Sequence, residues 1–420
     1  MPRLIISKLL IGCVLVSALS VLSAQQSGAG SEENTTQIRA IVHFFKGANF
    51  QREGEFNRAL EEYRQAVSLD DQFAEAFNNL GTVFFSKKDY GRATEAYEKA
   101  LELQASFAVA HNNLGTVYAR QAQRMNVRQF YRRAIFHLQK AIEIDPNLPE
   151  AYNTLGIVYH RQGQYHRSTE FFMKAKQVSP NYVDAYNNLG YTLSRLGRFT
   201  QALSELEEAL KLDSNFSPAR HNLGMVNLHQ GNHDAALREL KRTIADNPNF
   251  VASYVELAVL HLHDADVEKA VAVAQQAVRT DPESPQALNI LGISQLRGGD
   301  RDGAVEALER SVQLDGNSPE SRSNLGALLA LQGKPERALE ELNRATELNS
   351  QLADPYKYRG NIFFRTGDAE RAIENYGRYL ELDPEANDSE QVQSLIDLLR
   401  SVGEQSAAEA ETEAPTTPDP

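Results

Sequence analysis

Asparagine side chains recur along this sequence at a spacing that could place them in one row. Each stands two residues before a recurring glycine, and the five are Asn79, Asn113, Asn188, Asn222 and Asn324. A carboxamide both donates and accepts hydrogen bonds, so such a row suits an extended peptide backbone. Hydrogen bonds to solvent or to a neighbouring repeat would satisfy the same groups. Four net hydrogen bonds sum to about 4 kcal/mol, near millimolar affinity, so other contacts in the groove must supply affinity and selectivity.

Basic residues recur five positions after the same glycine, and we call these positions the basic column. It contains Arg52, Arg120, Arg161, Arg195, Arg297 and Arg365, with His229 and His263 at equivalent places between them. Guanidinium groups grip carboxylates through two hydrogen bonds, which suits an acidic peptide, an acidic polymer or a free carboxyl terminus. The alternative is a position at helix C-termini, where the helix dipole favours cations. Salt bridges could also consume these arginines, the candidate partners being Glu150, Asp184, Glu320 and Asp354. We predict peptide contacts for the five asparagines and for Arg120, Arg161 and Arg195.

One segment interrupts the regular spacing and is strongly basic. The positions of the glycine column are 34 residues apart, with Ala258 filling one of them, except that Gly115 and Gly156 are 41 apart. Five arginines lie close together there: Arg120, Arg124, Arg128, Arg132 and Arg133. Seven extra residues equal about two helical turns, so a helical hairpin could project here while staying in phase. We interpret Arg124, Arg128 and Arg132 as a partner contact, the alternative being simple elongation with a solvated face.

No catalytic constellation stands out in the sequence. It contains no Gly-rich phosphate loop, no Ser or Cys nucleophile elbow and no His-Glu-x-x-His. We therefore predict no enzyme activity, no cofactor and no metal. His229 and His263 are interpreted as surface polar residues, with a metal or pH-sensing role as the less favoured alternative. The net charge of −13 disfavours nucleic acid as a partner, and a single cysteine excludes a disulfide framework.

The elements that carry these columns are pairs of short helices. The glycine column is followed twelve residues later by a small residue, such as Ala93 or Ala202, and then by a large one, such as Tyr97 or Leu206. Apolar positions within each unit recur at the helical period in two runs of about a dozen residues. Turns such as Gln162-Gly163 separate the runs. Such a hairpin cannot bury its apolar face alone, so neighbouring hairpins must stack into one continuous core.

This pattern resembles the tetratricopeptide repeat. Leu155-Gly156, Tyr159, Phe172, Ala175 and Pro180 match that family's signature within one unit. The resemblance implies an all-α, right-handed superhelical solenoid of antiparallel hairpins, with ten units over residues 40–386 and the seven-residue insertion in the third. In this family the first helix of each hairpin lines a concave groove. The resemblance therefore implies that the asparagine row lies along an inner face.

The two ends of the chain differ from the repeats. Arg3 and Lys8 precede an apolar run that ends at Ser23-Ala24, which predicts a secretory signal peptide over residues 1–24. An uncleaved membrane anchor and a lipoprotein attachment at Cys13 are the weaker alternatives. Residues 25–39 are predicted to form a linker, residues 387–402 a capping helix and residues 403–420 an acidic disordered tail. The protein is thus expected to be periplasmic or secreted, without a stable membrane span once the signal is removed.

The expected function is that of a non-catalytic scaffold or adaptor. Arrays of tetratricopeptide repeats recruit or assemble other proteins, so the resemblance implies protein or peptide partners. One alternative is a scaffold for polysaccharide export or envelope assembly, whose arginines would contact an acidic polymer. Another is the targeting subunit of a separate enzyme. The sequence leaves open whether the groove or the insertion is the main contact, and it specifies no partner or oligomeric state.

Overall fold

The structure, a computed structural model, describes residues 32–125 and 127–412, with side chains over 35–123 and 127–402. All secondary elements in these ranges are α-helices, so the predicted all-α fold of antiparallel hairpins is confirmed. The predicted signal peptide lies outside the described residues. None of the described helices is long and apolar enough to cross a membrane.

Twenty-one helices within the described ranges form ten hairpins and a final single helix. The first five hairpins are α1 (Glu32–Arg52) and α2 (Phe56–Leu69), α3 (Ala74–Ser86) and α4 (Tyr90–Leu103), α5 (Ala108–Met125) and α6 (Arg128–Ile144), α7 (Pro149–Arg161) and α8 (Tyr165–Val178), and α9 (Val183–Arg195) and α10 (Phe199–Leu212). The next five are α11 (Ser217–His229) and α12 (His233–Asp246), α13 (Val251–His263) and α14 (Val267–Thr280), α15 (Pro285–Arg297) and α16 (Arg301–Leu314), α17 (Pro319–Leu331) and α18 (Pro335–Leu348), and α19 (Asp354–Thr366) and α20 (Ala369–Leu382). The last helix is α21 (Ser389–Thr412).

The helices belong to two compact units, which divide after Val226 within α11. In the first unit, one core cluster surrounds the fully buried Tyr63, Leu114 and Leu138. In the second unit, a cluster around Leu308, Leu328 and Leu342 fills the eighth and ninth hairpins. Each unit thus has a core that is built from stacked hairpins, and the single continuous core expected from the repeat pattern stays a prediction.

Within a hairpin, the recurring glycine touches a large side chain of the second helix. A Cβ at Gly190 would lie 2.7 Å from Cγ of Leu206 and 3.1 Å from the carbonyl oxygen of Ala202. The same contact joins Gly81 to the ring of Tyr97. Because a methyl group does not fit there, the two helix backbones approach more closely than any other residue would allow.

The insertion lengthens both helices of the third hairpin. Helix α5 has 18 residues and α6 has 17, whereas α7 and α8 of the next hairpin have 13 and 14. The contact at the hairpin base is unchanged, because Gly115 still faces Leu138. The predicted elongation of this hairpin is therefore confirmed.

Two predicted boundaries were wrong. The segment 25–39 was predicted as a linker, but α1 already begins at Glu32. Residues 32–39 contain no proline or glycine, and glutamates suit the N-terminal turn of a helix. Residues 403–420 were predicted to be disordered, yet α21 continues to Thr412. Alanine and glutamate dominate that stretch and favour helix; residues 413–420 lie outside the described ranges.

The last helix covers the tenth hairpin, as the predicted capping helix should. Val392 and Ile396 are buried and belong to the same cluster as Tyr376 and Tyr379 of α20. In addition, the Tyr379 hydroxyl donates to Asp388, directly before α21, over 2.6 Å. The apolar stripe of α21 thereby closes the exposed face of the final hairpin.

The glycine contact gives a stability prediction. Gly190→Ala should lower the free energy of unfolding by about 1–2 kcal/mol, because overpacking outweighs the better helix propensity of alanine. Gly377→Ala in α20 is the matched control, since nothing lies within 4 Å of its added methyl group. It should be neutral or stabilising in the same urea denaturation. A more stable Gly190→Ala variant would contradict the packing argument.

Candidate binding surface on the first helices

The predicted asparagines form hydrogen bonds between consecutive hairpins. In four cases Nδ2 donates to Oδ1 of an asparagine 35 residues earlier: Asn113 to Asn78 at 3.0 Å, Asn188 to Asn153 at 2.9 Å, Asn222 to Asn187 at 2.8 Å and Asn324 to Asn289 at 3.0 Å. The fifth, Asn79, donates to the Tyr63 hydroxyl over 3.3 Å. The row therefore links the second, third, fifth, sixth and ninth hairpins each to the one before it.

Adjacent asparagines extend these links within a hairpin. Asn78 donates to Asn79 over 3.2 Å, and Asn187 donates to Asn188 over 3.1 Å. The accepting asparagines were missed at the sequence level, although Asn78 and Asn187 stand directly before members of the row. These bonds agree with the inter-repeat alternative for the asparagine row. Contact with a peptide stays a prediction for these residues.

The row is interrupted at the lengthened hairpin. Thr154 stands where the next asparagine would be, and Oδ1 of Asn112 is left buried without a hydrogen-bond partner. Asn112 itself is only 9% exposed, so its acceptor faces the interior of the first unit. The short hydroxyl side chain of Thr154 does not replace the carboxamide donor. The row of hydrogen bonds is therefore interrupted between the third and fourth hairpins.

Three of the predicted arginines gather around the fourth hairpin. Arg161 and Arg195 are the last residues of α7 and α9, where the helix dipole favours them, whereas Arg120 lies inside the lengthened α5. Desolvation lowers the pKa of Arg161, and the positive charge of Arg120 lowers it further. Tyr131 and Tyr191 lie close enough to act in the opposite direction. We call Arg120, Arg161 and Arg195 the arginine track.

His160 lies beside the arginine track and was missed by the sequence reasoning. Its Nδ1 is 2.9 Å from the Thr192 hydroxyl, and its ring centroid is 4.9 Å from that of Tyr191. Burial lowers the pKa of His160 to about 4, with further contributions from the charges of Arg195 and Arg161. The imidazole is therefore neutral at pH 7 and adds a polar, uncharged wall to the surface.

The arginine track has no carboxylate partner among the side chains that the structure describes. Arginines of the second helices behave differently, because Arg58, Arg344 and Arg378 each pair with a glutamate three residues away. The proposed partner Glu150 keeps one carboxylate oxygen without a hydrogen bond, and burial raises its pKa. Asp354 lies 3.9 Å from Lys357 instead of pairing with an arginine. The three guanidinium groups are therefore available to an anion.

The lengthened hairpin presents further cations. Arg128 and Arg132 are exposed on α6, and the side chain of Arg124 lies outside the described residues. Tyr118 of α5 stacks on His137 and Phe130 of α6, with centroid distances of 5.7 and 6.2 Å, and Arg133 lies over its ring. The aromatic stack holds the two extended helices together. The partner contact predicted for Arg124, Arg128 and Arg132 stays a prediction.

The sequence matches tetratricopeptide repeat models over most of its length. The matched segments are 147–215 and 183–246, then 50–87, 81–121 and 129–163, then 221–285 and 291–353, and finally 359–385. The chain belongs to the tetratricopeptide repeat family. The resemblance inferred from the glycine, tyrosine and alanine columns is thereby confirmed.

Solved tetratricopeptide structures resemble this chain in fold while sharing little sequence. The APC/C hetero-tetramer Cut9-Hcn1 aligns over 93% of this chain and 94% of that chain, with a TM-score of 0.54 and 14% identity. Yeast Tom70 aligns over 89% and 99%, with a TM-score of 0.48 and 16% identity. YrrB, described as a TPR protein with an unusual peptide-binding site, aligns over 49% and 97%, with a TM-score of 0.35 and 24% identity. No curated protein matches the chain.

The asparagine bonds predict a stability effect. Asn188→Ala removes the bond to Asn153 and leaves its acceptor unpaired, which should cost about 1–2 kcal/mol. The exposed Asn181 is the control, and its replacement by alanine should change stability by less than about 0.5 kcal/mol. Urea denaturation followed by circular dichroism measures both variants. Equal urea midpoints for Asn188→Ala and the unmodified protein would contradict a stabilising role of the asparagine row.

His160 predicts a loss of stability in acid. Its pKa is about 4 when folded and about 6.5 when unfolded, so the unfolded chain binds the proton first as the pH falls from 6.5 to 4. Allowing for solvent screening, the loss at pH 5 should be roughly 1 kcal/mol. His160→Asn should reduce the difference between urea midpoints at pH 7 and pH 5. His166→Asn, at an exposed position of α8, should retain the full difference, and an unchanged difference in His160→Asn would refute the assignment.

Proposed function

We propose that this tetratricopeptide protein is a non-catalytic scaffold that binds an acidic segment of a partner protein along the arginine track. The observation that carries the proposal is the gathering of Arg120, Arg161 and Arg195 with no carboxylate partner among the described side chains. By contrast, Arg58, Arg344 and Arg378 on second helices each form a salt bridge with a glutamate three residues away. Protein partners are also what membership of this family suggests.

The surroundings of the arginine track suit a carboxylate-bearing peptide. Each guanidinium can donate two parallel hydrogen bonds to a carboxylate, and a charged hydrogen bond is worth about 1.5–3 kcal/mol. Three such contacts would sum to roughly 4.5–9 kcal/mol, which spans millimolar to submicromolar affinity. Tyr191 is 44% exposed and offers an apolar ring to the ligand beside the charges. The arginines can thus supply the affinity that a row of amides lacks.

A second candidate site is the lengthened hairpin itself. Arg128 and Arg132 are exposed there, and Phe136 on the same helix is 55% exposed. A basic surface with an exposed aromatic ring is suited to a partner contact. The arginine track is favoured over it because desolvation strengthens the interactions of Arg161, whereas fully solvated charges are screened by salt.

The location of the protein in the cell and the chemical class of its ligand have further alternatives. The signal-like segment at residues 1–24 supports a proposal that the protein works in the periplasm or outside the cell. There, an acidic polysaccharide would offer the same carboxylates as an acidic peptide, and the protein would serve polysaccharide export or envelope assembly. A role as the targeting subunit of a separate enzyme would use the same surface for a catalytic partner.

Binding of a labelled glutamate-rich peptide tests the proposal. By fluorescence anisotropy, Arg161→Ala/Arg195→Ala should raise its Kd by more than about tenfold, since two charged contacts are lost. Arg344→Ala/Arg378→Ala is the matched control, because both arginines pair with glutamates elsewhere, and it should retain the original Kd.

Other outcomes separate the alternatives. An unchanged Kd in the Arg161/Arg195 variant, with loss of binding in Arg128→Ala/Arg132→Ala, would overturn the proposal and assign the contact to the lengthened hairpin. Binding of polygalacturonate without binding of the peptide would favour the acidic polysaccharide. Weakening of the Arg161/Arg195 contact in 0.5 M salt is expected, because charge pairs that are partly exposed to solvent are still partly screened.

A further inference from the structure

Two histidines and an aspartate meet where α12 and α13 lie side by side. His233 is the first residue of α12, His263 is the last residue of α13, and Asp264 follows it. The two imidazole centroids are 4.9 Å apart. Nδ1 of His263 lies 3.5 Å from Oδ1 of Asp264, and Nδ1 of His233 lies 4.0 Å from the same oxygen. We call these three residues the histidine cluster.

The donor atoms of the histidine cluster converge within 4.8 Å of one another. Zinc bonds of about 2.0–2.2 Å in tetrahedral geometry place neighbouring ligand atoms about 3.3 Å apart. The side chains are 40%, 69% and 48% exposed for His233, His263 and Asp264, so small rotations about their side-chain bonds can close the remaining gap. Within the described residues this is the one group of three potential metal ligands with such convergence.

We propose that the histidine cluster binds a divalent transition metal ion, with zinc as the expected ion. Two imidazoles and one carboxylate form a mixed nitrogen and oxygen donor set that suits zinc and disfavours magnesium, which prefers oxygen alone. Three protein ligands leave a fourth position for water or for a group from a partner. The proposal is independent of peptide binding on the arginine track, which lies in the other unit.

The charges around the histidine cluster favour a cation. Asp264 supplies the negative charge, and the nearby Lys269 is paired with Asp266. A bound ion would therefore meet the carboxylate of Asp264, while the charge of Lys269 is already balanced by Asp266.

A metal in this place would join two consecutive hairpins. His233 belongs to the sixth hairpin, and His263 and Asp264 belong to the seventh. The seventh hairpin has Ala258 where the other nine have the recurring glycine. The sequence reasoning considered His229 and His263 together and predicted no metal. The structure brings His233 to His263, because the start of one second helix lies beside the end of the next first helix.

Zinc binding to the full chain tests this proposal. The EDTA-treated protein is dialysed against zinc chloride at pH 7.5, and bound zinc is measured by atomic emission. The unmodified chain should bind one zinc more than His233→Ala/His263→Ala, and Asp264→Ala should weaken that site by more than about tenfold. His166→Ala, which removes an exposed histidine of the first unit, should bind as the unmodified chain does. Magnesium chloride should not displace the ion.

A second measurement reports on the position of the ion. Since the histidine cluster joins two hairpins, zinc should raise the Tm of the unmodified chain and of His166→Ala, but not that of His233→Ala/His263→Ala. Circular dichroism without zinc verifies that all variants fold. Equal zinc stoichiometry in the double variant and the unmodified chain would overturn the proposal, as would loss of the site in His166→Ala.

Discussion

Eight of the described hairpins depend on a glycine of the first helix that touches a large side chain of the second. At Gly190 the added methyl group would meet Leu206 and a backbone carbonyl, and at Gly81 it would meet the ring of Tyr97. This close approach fixes how far apart the two helices lie and how they are rotated. Alanines such as Ala202 and Ala209 are completely buried on either side of that contact. The rows of side chains on the remaining faces are consequences of the resulting regular stacking.

The asparagine row and the basic column form different contacts, because amides and guanidinium groups differ in how they tolerate burial. A buried carboxamide needs a hydrogen-bond partner, and the regular stacking supplies one at a constant separation of 35 residues, as between Asn188 and Asn153. An arginine at a helix C-terminus can extend its charge to water and gains from the helix dipole, so it needs no protein partner. Stacking therefore engages the amides between hairpins and leaves Arg161 and Arg195 available to a ligand.

The sequence predicted the helices and the columns, but not which columns contact each other. The period of 34 residues describes the order of helices along the chain. It was therefore sufficient to predict the hairpins, the lengthened unit and the position of Arg161 at the end of a first helix. The partners of the asparagines depend on the offset between stacked hairpins, which the period does not contain. The same limit applies to His233, which meets His263 only through packing of consecutive repeats. The end of α21 was missed because low apolar content was taken for disorder, whereas its alanines and glutamates favour helix.

The lengthened hairpin and the arginine track form one continuous surface. In the other hairpins of the track, the arginine ends its helix and its position follows from the dipole alone. Arg120 has no such explanation, because α5 continues beyond it to Met125. The lengthening also places Tyr131, in the first turn of α6, within electrostatic reach of Arg161. Because the contact between Gly115 and Leu138 is retained, the extra residues alter this surface without disturbing the stacking beneath it. A ligand that reaches Arg161 therefore also meets Tyr131 of the lengthened hairpin.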